Sequence, residues 1–161
     1  NHLDIVISKL KSAGVRIEIV NTNSLRISYS ANLSSVDVET REYPGFPTDI
    51  QAQWMSLMCL ATGTSTIKEN IYSDRFTHVA ELNRFGADIK VEGDTAHING
   101  VNSFRAAPVM STDIRASASL ILAALSSEGE SSISRIYHID RGYENIERKI
   151  AALGGDIKRK K

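Results

Sequence analysis

TDIQAQWMSLMCLA (48–61) and TDIRASASLILAAL (112–125) open on the same three residues and run into the same kind of apolar helical segment. The likeness continues downstream. GTSTIKENIYSDRF (63–76) aligns with GESSISRIYHIDRG (129–142), setting Gly63 over Gly129, Ile67 over Ile133, Asp74 over Asp140 and Arg75 over Arg141. FGADIK (85–90) then aligns with LGGDIK (153–158). Blocks that recur in one order mark an internal repeat, which constrains a fold more than local propensity does. KLKSAGVRIEI (9–19) has the leucine, glycine and isoleucine spacing of ELNRFGADIKV (81–91), a further copy without its TDI and DR blocks. The expected division is an incomplete first unit over 1–40, a second over 41–105 and a third over 106–161, in a chain that is a piece of a longer protein.

Each unit alternates two periods. The TDI stretches read as helices, with Thr48 as N-cap, Gln51 completing a capping box and Pro47 forcing an extended approach. STIKENIY and SSISRIYH alternate apolar and polar residues as half-buried strands do, and THVAELNRF and YENIERKIAAL return to helical spacing. ADIKVEG and TAHINGV are two short strands around an EGD turn. Gly14, Gly86 and Gly154 follow the second helix of each unit, where a left-handed C-cap suits glycine. The fold class is α/β, with units packed around a shared core in approximate threefold symmetry.

Composition narrows the function. The 161 residues are 42% apolar and 24% charged, with zero formal net charge, as in a globular domain without a field drawing it to nucleic acid or an anionic membrane. No apolar run approaches a membrane span and no secretory signal opens the chain, so a cytosolic setting is expected. The single cysteine, Cys59, lies in WMSLMCLA and reads as a small core residue beside Trp54, Met55 and Met58. His2, His78, His97 and His138 lack metal-ligand spacing and read as surface or capping residues. No Walker loop, GxGxxG or nucleophile elbow is present, so no cofactor is expected. The closing KRKK reads as a solvated tail.

The chemistry concentrates in acids and arginines at repeated corners. Asp49 and Asp113 fall in the first turn of a helix, where capping alone accounts for a carboxylate. Arg115 opposes the helix dipole there, which calls for an anionic partner such as Asp113 or a ligand. Arg75 and Arg141 each follow an aspartate where a strand gives way to a helix. Each Asp-Arg neighbour pair reads either as a surface ion pair or, with Arg115, as part of a grip on a polyanion.

EYPGFPTDIQAQ, NIYSDRFTHVAEL, STDIRASASLILA and RIYHIDRGYENIE resemble the enolpyruvyl transferases, in particular those acting on UDP-N-acetylglucosamine in the first committed step of peptidoglycan synthesis. The resemblance covers essentially the whole chain. It implies an inside-out α/β barrel-like domain of repeated βαβαββ units, one of two similar domains with substrates bound between them. It implies a bacterial cytoplasmic enzyme, with phosphoenolpyruvate and UDP-N-acetylglucosamine as substrates and no cofactor. By resemblance, Asp49 meets the reacting 3-hydroxyl. Arg75, Arg115 and Arg141 surround phosphoenolpyruvate and the intermediate, Ile71 and Tyr72 lie beside the nucleotide sugar, and Asp113 orients Arg115.

Departures from the family pattern shape what this chain does alone. The proton-donating cysteine of the family belongs to a loop of the other domain, and Cys59 does not match it. The family's Lys-Asn pair is also outside this sequence. The expectation is a chain that carries part of a transferase site, needs the remaining N-terminal portion for turnover, and self-associates through the uncovered first unit. The alternatives are a shikimate-pathway enolpyruvyl transferase and a non-catalytic anion-binding module.

Overall fold

The computed structural model describes residues 2–28 and 32–160. Helix α1 (Asp4–Ser12) leads into a hairpin of β1 (Arg16–Asn21) and β2 (Ser24–Ser28). Strand β3 (Val38–Glu39) precedes a 3-10 turn (Thr48–Ile50) that runs directly into α2 (Gln51–Met58). Next come β4 (Thr64–Lys68), α3 (Val79–Arg84) and the hairpin of β5 (Asp88–Glu92) and β6 (Thr95–Asn99). The last part holds β7 (Phe104–Arg105), β8 (Pro108–Met110), α4 (Ile114–Leu125), β9 (Ser127–Glu128), β10 (Ser132–Ser134), α5 (Tyr137–Asp140) and α6 (Ile146–Ala152).

The two TDI helices form the centre. Helix α2 buries Ala52, Trp54, Met55 and Met58, while α4 buries Leu120, Ile121 and a run of Ala and Ser. Helices apolar on most of their circumference belong in a core, and the small residues of α4 let α2 pack closely against it. Sheet faces close over them: Ile67, Ala96 and Ile98 point inward, while Lys68, His97 and Asn99 of the same strands stay exposed. Leu82, Phe85, Phe104 and Leu120 complete the core with almost no exposure. Truncating one such side chain to alanine costs about 2–5 kcal/mol.

Among the described residues the strands make no closed barrel. A four-stranded sheet runs in the order β3-β4-β6-β5, beside the pairs β1-β2, β7-β9 and β8-β10. Strands β3 and β4 pair parallel and β4-β6-β5 antiparallel, and the helix, strand, helix, strand, strand order expected for 41–105 is present as α2, β4, α3, β5 and β6. Gly14, Gly86 and Gly154 take φ of 93°, 92° and 92° just past α1, α3 and α6. That is the expected left-handed stop. No helix among the described residues is long and apolar enough to cross a membrane. The β1-β2 hairpin leaves Ile19 and Ile27 each 63% exposed.

Several local expectations are corrected. Thr48 caps no helix: its hydroxyl donates to Glu69 Oε2 at 3.0 Å, α2 starts three residues later, and Gln51 is buried in its first turn instead of reaching back. The strand read across SSISRIYH stops at Ser134, because Arg135 turns left-handed at φ 56° and α5 follows. STIKENIY likewise leaves the sheet after Lys68, where Glu69 captures the next amides. His78 holds the N-cap position of α3, but its side chain makes no capping hydrogen bond and does not reach the surface. It is 1% exposed beside the apolar side of α3. The tail is not simply solvated, since Arg159 donates to both carboxylate oxygens of Asp140 at 2.7 and 3.0 Å and to Glu147 at 3.3 Å. Of KRKK, Lys161 lies outside the described residues.

Candidate active site

The two TDI turns meet. Arg115 Nε donates to Asp49 Oδ1 at 2.5 Å, joining the first turn of α4 to the 3-10 turn before α2. Asp49 is free to do this because no backbone amide of its own helix takes its carboxylate. Asp113 does the opposite. Its extended backbone, φ −157° and ψ 176°, turns Oδ1 back onto the N–H groups of Arg115 and Ala116 at 2.7 and 2.9 Å. Asp113 therefore fixes Arg115 through the main chain, and the side-chain anion that the dipole argument called for is Asp49. The hydrogen bond to Asp49 raises the Arg115 pKa above its ordinary value against partial desolvation, with weaker attraction from Asp113 and Tyr143.

Arg141 is carried alongside by packing. It caps the C-terminus of α5, where the dipole favours a cation, and so does not lie at a strand-to-helix junction. Its neighbour Gly142 lies against Ile114: a Cβ there would meet Ile114 Cδ1 at 3.1 Å, so glycine permits the approach. Tyr143 OH receives a hydrogen bond from Gln53 Nε2 of α2 at 3.3 Å. The loop after α5 thereby touches both central helices near the Asp49-Arg115 pair. Asp140 is engaged by Arg159, and no ion pair joins Asp140 to Arg141 or Asp74 to Arg75 among the described residues. The neighbour-pair reading fails for both arginines.

Arg75 lies in the segment that leads into α3. Its guanidinium lies 4.7 Å over the Tyr72 ring, and its Nε is buried without a hydrogen-bond acceptor among the described residues. Three residues on, His78 sits near enough to Asp113 to feel its charge, and Thr77 Oγ1 lies 3.5 Å from Thr112 Oγ1. Burial pushes the His78 pKa down to about 4, with Asp113 opposing the shift. Ile71 and Tyr72 stand 44% and 56% exposed on the wall of an open depression of about 340 Å³. Glu69, Asn70, Ser73, Gly93 and Asp94 also line it. No hydrogen bond or ion pair links Arg75 or Arg141 directly to Asp49 or Arg115 among the described residues. The structure thus brings Asp49 and Arg115 into contact and does not join Arg75 or Arg141 to that pair among the described residues.

Sequence reasoning missed Glu69 and His78. Glu69 is 3% exposed and accepts from Thr40, Thr48, Ile71 and Tyr72. The signal was there: period-2 spacing from buried Ser65 and Ile67 puts Glu69 on the inward face. Cys59 is buried as expected, and burial pushes its thiol up to about 12, far from a reactive thiolate.

The pairing of an exposed carboxylate with a guanidinium is a feature that binds charged ligands as readily as it holds two turns together. Comparisons with known proteins sharpen that. The chain is 58% identical over 159 residues to the UDP-N-acetylglucosamine 1-carboxyvinyltransferase of Geotalea daltonii, covering 98% of this chain and 38% of that protein. It is 56% identical over 161 residues to the enzyme of that name from Geobacter metallireducens, covering 99% of this chain and 38% of the relative. The chain thus spans well under half the length of these relatives. Among solved structures, the enolpyruvyl transferase NikO from Streptomyces tendae matches with a TM-score of 0.87 at 26% identity, over 97% of this chain and 36% of that one. EPSP synthase from Acinetobacter baumannii shares the fold at 17% identity, with a TM-score of 0.68 over 97% of this chain and 37% of that one. The family model described as EPSP synthase (3-phosphoshikimate 1-carboxyvinyltransferase) matches residues 1–150, so the chain belongs to that family of carboxyvinyl transferases.

Proposed function

We propose that the chain is part of an enzyme that moves the enolpyruvyl group of phosphoenolpyruvate to the 3-hydroxyl of UDP-N-acetylglucosamine, releasing phosphate at the first committed step of peptidoglycan synthesis. The observation that carries this reading is the Asp49-Arg115 contact between the two TDI turns, a carboxylate and a cation set together on an exposed edge. The names of the relatives at 58% and 56% identity support this substrate over a shikimate derivative. Units over 1–40, 41–105 and 106–161 would then form most of one domain, in a cytoplasmic enzyme.

In this reading Asp49 accepts the 3-hydroxyl proton as the sugar oxygen bonds to carbon 2 and the double-bond electrons take a proton at carbon 3. Breakage of the bond from carbon 2 to the phosphate oxygen, with loss of a proton from carbon 3, restores the double bond and releases phosphate. Arg115 releases Asp49 as it turns to the developing charge, while Arg75 and Arg141 hold carboxylate and phosphate. Ile71 and Tyr72 meet the nucleotide sugar. By the family resemblance, the proton for carbon 3 comes from a cysteine outside this chain; the buried Cys59 does not match it.

Phosphate release from phosphoenolpyruvate and UDP-N-acetylglucosamine tests this, with the chain alone and then mixed with the remaining portion of the enzyme. Silence alone, turnover when mixed and loss of turnover with Asp49→Ala are expected. A folded but inactive mixture would contradict the proposal and favour a module whose arginines only bind anions. The exposed Ile19 and Ile27 of the β1-β2 hairpin support self-association of the isolated chain, and a strictly monomeric species in light scattering would refute it.

A further inference from the structure

Three segments that line the candidate site have little sheet or helix ladder of their own to hold them: the end of β3, the 3-10 turn with Asp49, and the loop after β4. One buried carboxylate joins them. Glu69 Oε1 accepts from Thr40 Oγ1 at 2.7 Å, Ile71 N at 2.9 Å and Tyr72 N at 3.1 Å, and Oε2 accepts from Thr48 Oγ1 at 3.0 Å. Thr40 Oγ1 in turn accepts from Asn70 N at 2.9 Å, and Asn70 Nδ2 donates to Glu39 Oε1 at 2.9 Å and to Thr40 O at 3.0 Å. Burying a carboxylate is costly, and the four fixed donors around Glu69, three on Oε1 and one on Oε2, offset that cost. An apolar residue here would pack, but it would strand the Ile71 and Tyr72 amides.

We infer that Glu69 is a positioning residue, setting the Ile71-Tyr72 loop against the Asp49 turn so that the site meets the nucleotide sugar in one fixed geometry. This rests on the proposed function, in which Ile71 and Tyr72 contact that substrate. The coupling extends further, because Tyr72 carries the Arg75 guanidinium on its ring. Glu69 touches no reacting atom. It acts through the backbone of its neighbours, which is why a change of side-chain acceptor is the informative perturbation.

The test uses the enzyme at the full length of its relatives, with Glu69→Gln and Glu69→Ala. Glutamine keeps an oxygen at the Oε1 position, and its amide donates to the Thr48 hydroxyl, which can also accept. Glu69→Gln is expected to stay within about threefold of wild type in kcat and both KM values. Glu69→Ala is expected to raise KM for UDP-N-acetylglucosamine at least about tenfold, with a change under about threefold in KM for phosphoenolpyruvate. Hydrogen exchange gives a readout without turnover. In Glu69→Ala the peptide holding the Ile71 and Tyr72 amides should exchange at least about tenfold faster, with α2 and α4 unchanged. Should Glu69→Ala fail to fold, Thr40→Val removes one Oε1 donor and the Asn70 acceptor, and is expected to show the same selective exchange and KM shift. Equal loss of both KM values, or unchanged exchange over residues 70–73, would overturn the inference. An inactive wild type would sink the proposed function, and the exchange data would still decide whether Glu69 sets the loop.

Discussion

The same tripeptide does two different jobs in the two TDI turns. At 112–114 the aspartate closes on the helix that follows it, taking the amides of Arg115 and Ala116. At 48–50 the aspartate lies in an added 3-10 turn, its threonine neighbour is held by Glu69, and its carboxylate crosses to Arg115. One copy uses its charge to cap the N-terminus of its helix, and the other uses it in an ion pair at the surface. A repeat can therefore preserve a fold while one corner of it makes a different contact, and the difference shows as a cap that is not made.

The largest expected effect lies where the two turns touch. Arg115→Ala in the full-length enzyme should lower kcat by roughly 10²–10³-fold, as loss of a charge-stabilising donor does. Its unfolding free energy should move by less than about 1 kcal/mol, because the Asp49-Arg115 pair is solvent-exposed. Equal effects on activity and stability in kinetic and urea-unfolding measurements would show that the pair is structural.

Acid separates the turns next. His78 lies near Asp113, with a folded pKa of about 4 against an ordinary 6.5. Between those values the unfolded chain binds more protons, so this contribution to stability is full above pH 6.5 and is lost as pH falls toward 4. The loss approaches about 3 kcal/mol and should disappear in His78→Leu, read as the pH dependence of the urea midpoint. A midpoint with the same pH slope in both proteins would contradict it.

The smallest effect is the cap itself. Asp113→Ala removes the acceptor for two amides and should cost about 1–2 kcal/mol in urea unfolding. Asp49→Ala should cost under about 1 kcal/mol, since it caps nothing and its pair is exposed. Reversal of that order would break the comparison.

Much of this was legible in the sequence. The repeat exposed the two central helices, the order of elements over 41–105 and the glycine stops, because burial periodicity and φ > 0 leave marks on composition. It also brought out Asp49 and the arginines by placing charge at matching corners. What it could not supply was partner choice. Whether Asp49 caps or crosses to Arg115 goes with where α2 starts, and the late start goes with Thr48 bonding Glu69, a contact between residues 21 apart in the chain. His78 escaped because a histidine at the start of a helix reads the same whether its ring faces solvent or the interior. Arg141 was placed at the wrong kind of junction because Arg135 turns the chain left-handed one residue after β10, and no residue pattern announces that.

The central claim is that the two aspartates have parted ways, and kcat for phosphate release by Asp49→Ala and Asp113→Ala in the full-length enzyme tests it most directly, under conditions where both variants are fully folded. The account predicts a loss of about 10²–10⁴-fold for Asp49→Ala, the range for removing a general base, and a clearly smaller loss for Asp113→Ala. Equal losses, or a greater loss for Asp113→Ala, would contradict it.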